Sequence, residues 1–319
     1  MISRRQGLSF AGLLLLCELA REQVQAQGPM HPSEPTVNLG DTSFLDAIGG
    51  PGVLVEEIAD GDHSAHVTDG SGRTIPGPAA SDSISENTHV AALTHSRLFG
   101  GWYGVEFLQA VAHANVGPGS KVTGLGELTL SPFILQWNEE KIGSIRFIQR
   151  LVLDFDLPTG EYRRAANLNL TNHAFDIHPY YAVTVYPSGH LESSWRVHYI
   201  WNATNNMPSV ASGAQSTQAG QAIHFNATVG YRLPHGVWIG ANGYFLTQIT
   251  DPKINGQPLS NSPERVGAIG PGALWDMGRW ILFANAYHEV GALNRPEGNK
   301  VVLRLQWLPS RKGSTGDHN

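Results

Sequence analysis

Between Ser144 and Leu157 the charged residues Arg146, Arg150, Asp154 and Asp156 all fall at even positions, whereas the odd positions read Ile145, Phe147, Gln149, Leu151, Leu153, Phe155 and Leu157. Successive side chains of a strand point to opposite faces, so this segment predicts a strand with one apolar wall and one ionic wall. A soluble sheet would turn the apolar wall to a core. A membrane barrel would turn it to lipid and line its lumen with the charges. The same sorting recurs in 191–202, where Leu191, Ser193, Trp195, Val197, Tyr199 and Trp201 oppose Glu192, Ser194, Arg196, His198, Ile200 and Asn202. It recurs again in 222–233 and in 301–307, with Arg232 and Arg304 keeping to the polar parity.

Strand patterns broken by Gly, Pro, Asn and Asp run from about residue 53 to the end, with no sustained helical period between them. They predict an all-β chain of twelve strands, with fourteen the alternative count, near 53–59, 84–97, 102–115, 124–137, 143–157, 174–186, 190–202, 221–233, 236–250, 264–276, 279–291 and 300–308. Short turns at 98–101, 138–142, 187–189, 234–235 and 277–278 alternate with longer loops at 61–83, 116–123, 158–173, 203–220, 251–263 and 292–299. An even strand count with loops sorted by length is the pattern of a transmembrane antiparallel β-barrel with short periplasmic turns and long extracellular loops. Tryptophans favour membrane interfaces. Trp102, Trp137, Trp238, Trp275, Trp280 and Trp307 fall near short-turn ends, Trp201 near a long-loop end, and only Trp195 near mid-strand.

Export is predicted at the N-terminus. Arg4 and Arg5, an apolar stretch from Leu8 to Leu16, and Val24-Gln25-Ala26 read as a signal peptide over 1–26, since the apolar run falls short of the ~20 residues a spanning helix needs. The single cysteine, Cys17, lies inside it, so disulfides are excluded as staples of the mature chain. Residues 27–52 form an N-terminal segment whose Val37, Leu39, Phe44, Leu45 and Ile48 suit a lumen plug; residues 53–308 form the barrel and 309–319 a polar C-terminal tail. A free periplasmic segment is the alternative for 27–52.

Several stretches carry a resemblance: Gly124-Leu125-Gly126-Glu127-Leu128-Thr129-Leu130-Ser131-Pro132, Leu157-Pro158-Thr159-Gly160, Gln218-Ala219-Gly220-Gln221-Ala222, Gly240-Ala241-Asn242-Gly243-Tyr244, Ile269-Gly270-Pro271-Gly272-Ala273 and Asn294-Arg295-Pro296-Glu297-Gly298. With these, the chain from about Asn38 to Leu308 resembles the SphA-like outer-membrane transporters of the phenol-degradation meta-pathway family. The resemblance implies a Gram-negative outer-membrane barrel that admits aromatic or other small hydrophobic compounds. Barrels of this kind commonly end on an aromatic residue read by the assembly machinery, whereas here Trp307 is followed by the polar tail.

The candidate lumen residues are Arg146, Arg150, Asp154, Asp156, Glu192, Arg196, His198, Arg232, Glu289 and Arg304, with the inward aromatics Tyr180, Tyr186, Trp238, Tyr244, Phe283 and Tyr287. The charges admit two roles, ion pairs that tie opposite walls together or a constriction whose field filters a solute. The aromatics either stack on an aromatic solute or fill space in a narrow barrel. Strand prolines Pro132, Pro179 and Pro271 predict bulges or kinks. Asp60-Gly61-Asp62-His63 reads as a solvated external turn with some calcium-loop character.

The histidines show no zinc spacing, and His198 and Asn202 accompany no motif that sets a nucleophile beside a base, so the expectation is no metal, no cofactor and no enzyme. No basic patch points to nucleic acid. The expected partners are outer-membrane lipid, the barrel-assembly machinery and a small hydrophobic or aromatic solute, taken up passively by a monomer. A weakly selective porin for polar solutes and a structural or adhesive surface barrel are the other readings.

Overall fold

A computed structural model describes residues 38–75, 81–116 and 120–311. The expected signal peptide, the start of the 27–52 segment and most of the 309–319 tail lie outside the described residues. Twelve long strands form one antiparallel ring: β1 (Gly52–Val67), β2 (Ser81–Leu98), β3 (Gly101–Asn115), β4 (Lys121–Gln136), β5 (Ile145–Leu157), β6 (Asp176–Tyr186), β7 (Leu191–Asn202), β8 (Ala222–Arg232), β9 (Val237–Gln248), β10 (Arg265–Asp276), β11 (Trp280–Leu293) and β12 (Pro296–Trp307). Each pairs with its neighbours in sequence, and β12 pairs with β1 from Val55↔Trp307 to Val67↔Pro296, which closes the barrel. Closure removes the unpaired edges a sheet would otherwise present to lipid.

Parity sorts the side chains as the alternation predicts. Along β5 the even residues Val152, Asp154 and Asp156 are buried inside while Ile145 and Leu151 are exposed outside. Along β7 the sorting is complete, Glu192, Ser194, Arg196, His198 and Ile200 inward against Leu191, Trp195, Val197 and Tyr199 outward. The outer face is a continuous apolar belt including Val105, Phe107, Val111, Leu125, Val229, Ile269 and Leu303, which suits hydrocarbon contact on every side. Exposed Trp275, Trp280 and Trp307 mark the short-turn rim, and the last two rings stack at 5.9 Å. Trp238, the second residue of β9 beside the short turn 234–236, faces inward as expected and is buried.

Several local expectations need correction. β1 runs on to Val67 and β12 begins at Pro296, so the expected long loop 292–299 is a tight hairpin around Asn294, with φ 56°. Asp60-Gly61-Asp62-His63 is not a loop but part of β1, with Asp60 and Asp62 reaching Lys300 at 3.6 and 4.0 Å. The turn expected at 138–142 contains a short strand, Glu140–Ile142, that folds back on the start of β5. Of the three strand prolines only Pro132 sits at a register shift, between Leu130 and Phe133 against β5. Pro179 and Pro271 keep the register of both neighbours; losing one donor removes a single bond from a ladder held on either side.

At the long-loop end the connections bond to one another. Thr217–Gln218, Lys253–Ile254 and Gln257–Pro258 make a small separate sheet, and the Tyr162 hydroxyl donates to Met207 O at 2.9 Å. At the opposite end the tail begins by folding back, with Arg311 on Asp276 at 2.7 Å.

Candidate functional site

The barrel interior holds part of its own chain. Residues 38–51 have no regular ladder, so their backbone groups must find partners elsewhere, and the inner wall supplies them. Gly40 N–H donates to Asn226 Oδ1 at 3.0 Å and Gly40 O accepts from the Tyr287 hydroxyl at 2.8 Å. Ala47 N–H donates to Thr184 Oγ1 at 3.1 Å, and Ala47 O accepts from Gln136 Nε2 at 2.9 Å. Arg150 donates to Ile48 O at 2.9 Å. Gly40 sits at φ +80°, and a Cβ there would come within 2.8 Å of the Tyr287 ring, so a larger residue would lose both the turn and the approach.

Side chains complete the attachment. Asp46 takes both branches of the Arg196 guanidinium, at 2.8 and 2.6 Å, the paired geometry that suits arginine best. Phe44 is fully buried among Tyr186, Trp238, Leu274, Ile281 and Phe283. Leu39 packs with Tyr244 and Tyr287. Asp41 meets Lys300 at 3.1 Å; burial raises its carboxyl above the ordinary range, and the attraction of Lys300 opposes the rise.

The inward aromatics are therefore the bed on which this segment lies. Tyr244 and Glu289 also bond to each other at 2.9 Å. The charged residues meet partners that the alternation did not suggest: among the described residues no ion pair joins Arg146, Arg150, Asp154 or Asp156 to Glu192, Arg196, Arg232, Glu289 or Arg304, while Asp156 meets His178 at 3.3 Å. Arg146 pairs with Glu139 at 3.2 Å, Asp154 accepts from Ser131, and Glu192 accepts from Ser194 at 2.8 Å. Arg232 is exposed, 6.0 Å from the Trp238 ring, because it closes β8 at the rim where the wall ends. His198 stacks between Tyr180 at 4.8 Å and His224 at 4.1 Å.

A second network lies across the strand seam. Arg304, whose guanidinium caps the Phe283 ring at 3.7 Å, faces Glu56 at 3.7 Å, and Glu56 also accepts from Gln306. Glu56 meets His89 at 3.4 Å, and His89 meets Glu106 at 3.1 Å. The Tyr180 hydroxyl donates onward to Glu106 at 3.4 Å, and Ser131 Oγ lies 3.3 Å from the same carboxylate. Glu56, His89, Glu106, Asp46 and Lys300 were missed in the sequence. Outward-facing Glu57 and Glu86 blur the parity of β1 and β2, but Lys300 shares the even parity of Arg304 and was open to detection.

Beside the segment lies a cavity of about 1930 Å³, lined by Arg196, His198, Tyr244, Phe283 and Arg304 across the lumen and mostly by β1 to β4. Its lining there is small and apolar, including Leu93, Leu108, Ala110, Ala112 and Ile134, while Glu56, Asp60, Asp62, Glu106 and Asp154 add carboxylates. Asp156, Asp176 and His178 cluster at its long-loop end, with ligand-type atoms all within 4.8 Å of one another.

Residues 65–305 match the family model described as "Putative MetA-pathway of phenol degradation". The chain belongs to that family. A search of curated proteins finds no match to this family member. Among solved structures, it is similar to the COG4313 outer membrane channel from Pseudomonas putida F1, at 14% identity and TM-score 0.71, over 86% of this chain and 100% of that one. That likeness establishes the fold. The translocator domain of the autotransporter NalP from Neisseria meningitidis aligns at 8% identity and TM-score 0.45, over 82% and 90% of the two chains. A mutant of the monoaromatic hydrocarbon channel TodX aligns at 8% identity and TM-score 0.42, over 82% and 90%. This family member is an outer-membrane-type β-barrel of twelve strands.

Proposed function

We propose that the protein is a passive outer-membrane channel for small hydrophobic or aromatic compounds, with residues 38–51 as a plug that leaves a side passage. The observation that carries this reading is the lumen's division. A hydrogen-bonded, ion-paired segment covers much of one wall, and beside it remains a passage of about 1930 Å³ edged on the facing wall by Ala110, Ala112, Leu93 and Leu108. An apolar-edged passage with a few polar groups suits a small hydrophobic solute. Flux through it follows the solute's gradient. The family's phenol-degradation description fits that solute class.

A polar-solute porin is the second reading, favoured by the carboxylates Glu56, Asp60, Asp62 and Glu106 on the same passage. Planar-bilayer recording paired with uptake of a labelled monoaromatic into liposomes decides between them. Low conductance with accelerated aromatic uptake supports the hydrophobic channel. Large steady conductance that prefers cations, with no gain in aromatic uptake, replaces it with the porin.

A further inference from the structure

We infer that Asp156, Asp176 and His178 bind a divalent transition-metal ion of the Zn²⁺ type at the outer end of the lumen. The strand register builds the site. Asp176 and His178 are two apart on β6 and so share its inner face, and Asp156 on β5 is the direct cross-strand partner of Asp176. His178 Nδ1 lies 3.3 Å from Asp156 Oδ2. The Thr129 hydroxyl donates to the other Asp156 oxygen, which fixes the carboxylate with Oδ2 turned to the cluster in the way outer partners orient metal ligands.

The groups themselves point to a missing cation. Asp176 is fully buried, yet neither of its carboxylate oxygens has a hydrogen-bond partner among the described residues, and His178 Nε2, also buried, has none. The nearby backbone donor Ala203 N–H is taken by Phe175 O at 2.9 Å. Glu127 adds a further carboxylate close enough to act on Asp176 electrostatically. A buried carboxylate such as Asp176 with neither oxygen bonded is strongly disfavoured, and its cross-strand neighbour Asp156 repels it, so a divalent ion answers both costs. Asp156 and His178 line the large lumen cavity, which gives the ion a way in.

The donor set selects the ion class. Hard Ca²⁺ and Mg²⁺ take oxygen ligands, whereas an imidazole with two carboxylates suits Zn²⁺ and its neighbours. Bound there, the ion would join the end of β5 to the start of β6 and so pin both roots of the loop 158–175.

The test is titration of the full chain, folded in detergent and stripped with a chelator, with ZnCl₂ by calorimetry and with Co²⁺ by its visible absorption. One ion per chain is expected to bind, and Asp176→Asn and His178→Ala are each expected to weaken binding by more than the roughly 10- to 100-fold typical of an outer-shell loss. Thr129→Val should fall within that smaller range. Heat-modifiable gel migration reports that each variant is folded. Binding that is absent in the folded parent, or unchanged in both ligand variants, overturns the site. Ca²⁺ displacing Co²⁺ at equal concentration overturns the ion class. If the variants fail to fold, the parent's Co²⁺ spectrum decides alone: bands of nitrogen and oxygen ligation support the site, and their absence overturns it.

Discussion

The two sides of the lumen use the same strand geometry to opposite ends. From β6 to β12 the inward positions are large or hydrogen-bonding, Tyr180, Tyr186, Arg196, Asn226, Trp238, Phe283 and Tyr287 among them, and residues 38–51 are bonded and packed mainly against them, with Gln136 and Ile134 at the short-turn end of β4 and Arg150 of β5 completing the attachment. From β2 to β4 they include Ala91, Ala110, Ala112 and Ala114, which leave room for the passage. Side-chain size on one parity thus decides whether a wall receives the segment or leaves the lumen open, since both sides are built from the same antiparallel ladder. Gly230 shows how tight the receiving wall is: a Cβ there would come within 2.8 Å of the Phe44 ring.

The strongest way to break the contrast is to remove the segment. Deletion of residues 38–51 is expected to turn the receiving wall into open lumen and raise single-channel conductance severalfold; an unchanged conductance in planar bilayers would dismiss the plug. Asp46→Ala leaves the Arg196 guanidinium buried without its partner, at a cost of about 3–5 kcal/mol. Lower thermal stability in detergent together with new protease cleavage within 38–51 is the expected signature. Phe44→Ala should cost about 3–5 kcal/mol if the pocket of Tyr186, Trp238 and Phe283 stays rigid, and less if it collapses, so it ranks just below. Tyr287→Phe removes one hydrogen bond to Gly40 O and is expected to cost only about 0.5–1.5 kcal/mol, measured as a shift in the unfolding midpoint. On the open side, Ala112→Phe should change stability by no more than ~0.5 kcal/mol while slowing aromatic uptake by liposomes. Equal stability losses on both sides would erase the distinction between them.

Strand existence and facing were readable where one parity was uniformly apolar. The segments 145–157, 191–202 and 222–232 show this, since lipid on the outside tolerates few exceptions. Legibility failed where each face carried charge. In β1 and β2, outward Glu57 and Glu86 sit beside inward Glu56 and His89, so no parity stands out and the seam network stayed hidden. Strand ends were also blurred, because the upper strands run past the apolar belt into residues such as Asp60 and Asp62 that look like turn formers. The charged lumen residues were found by parity, but their partners were not. Asp46 and Asp41 belong to a segment with no period of its own, and only the folded chain brings them to Arg196 and Lys300. The Asp176-Ile177-His178 spacing was visible as a shared face of one strand, yet its cross-strand partner Asp156 required the register.

The Glu56 contact with Arg304 and Gln306 spans the junction of the first and last strands, so it exists only once the cylinder is shut. Before that moment the acid on the opening strand has only His89 of β2 beside it, and the base on the closing strand only the Phe283 ring of β11. Closing the ring therefore neutralises as it zips, and a register error of one residue would turn one member outward to the hydrocarbon. The seam is thus specified by side-chain charge as well as by its ladder of hydrogen bonds.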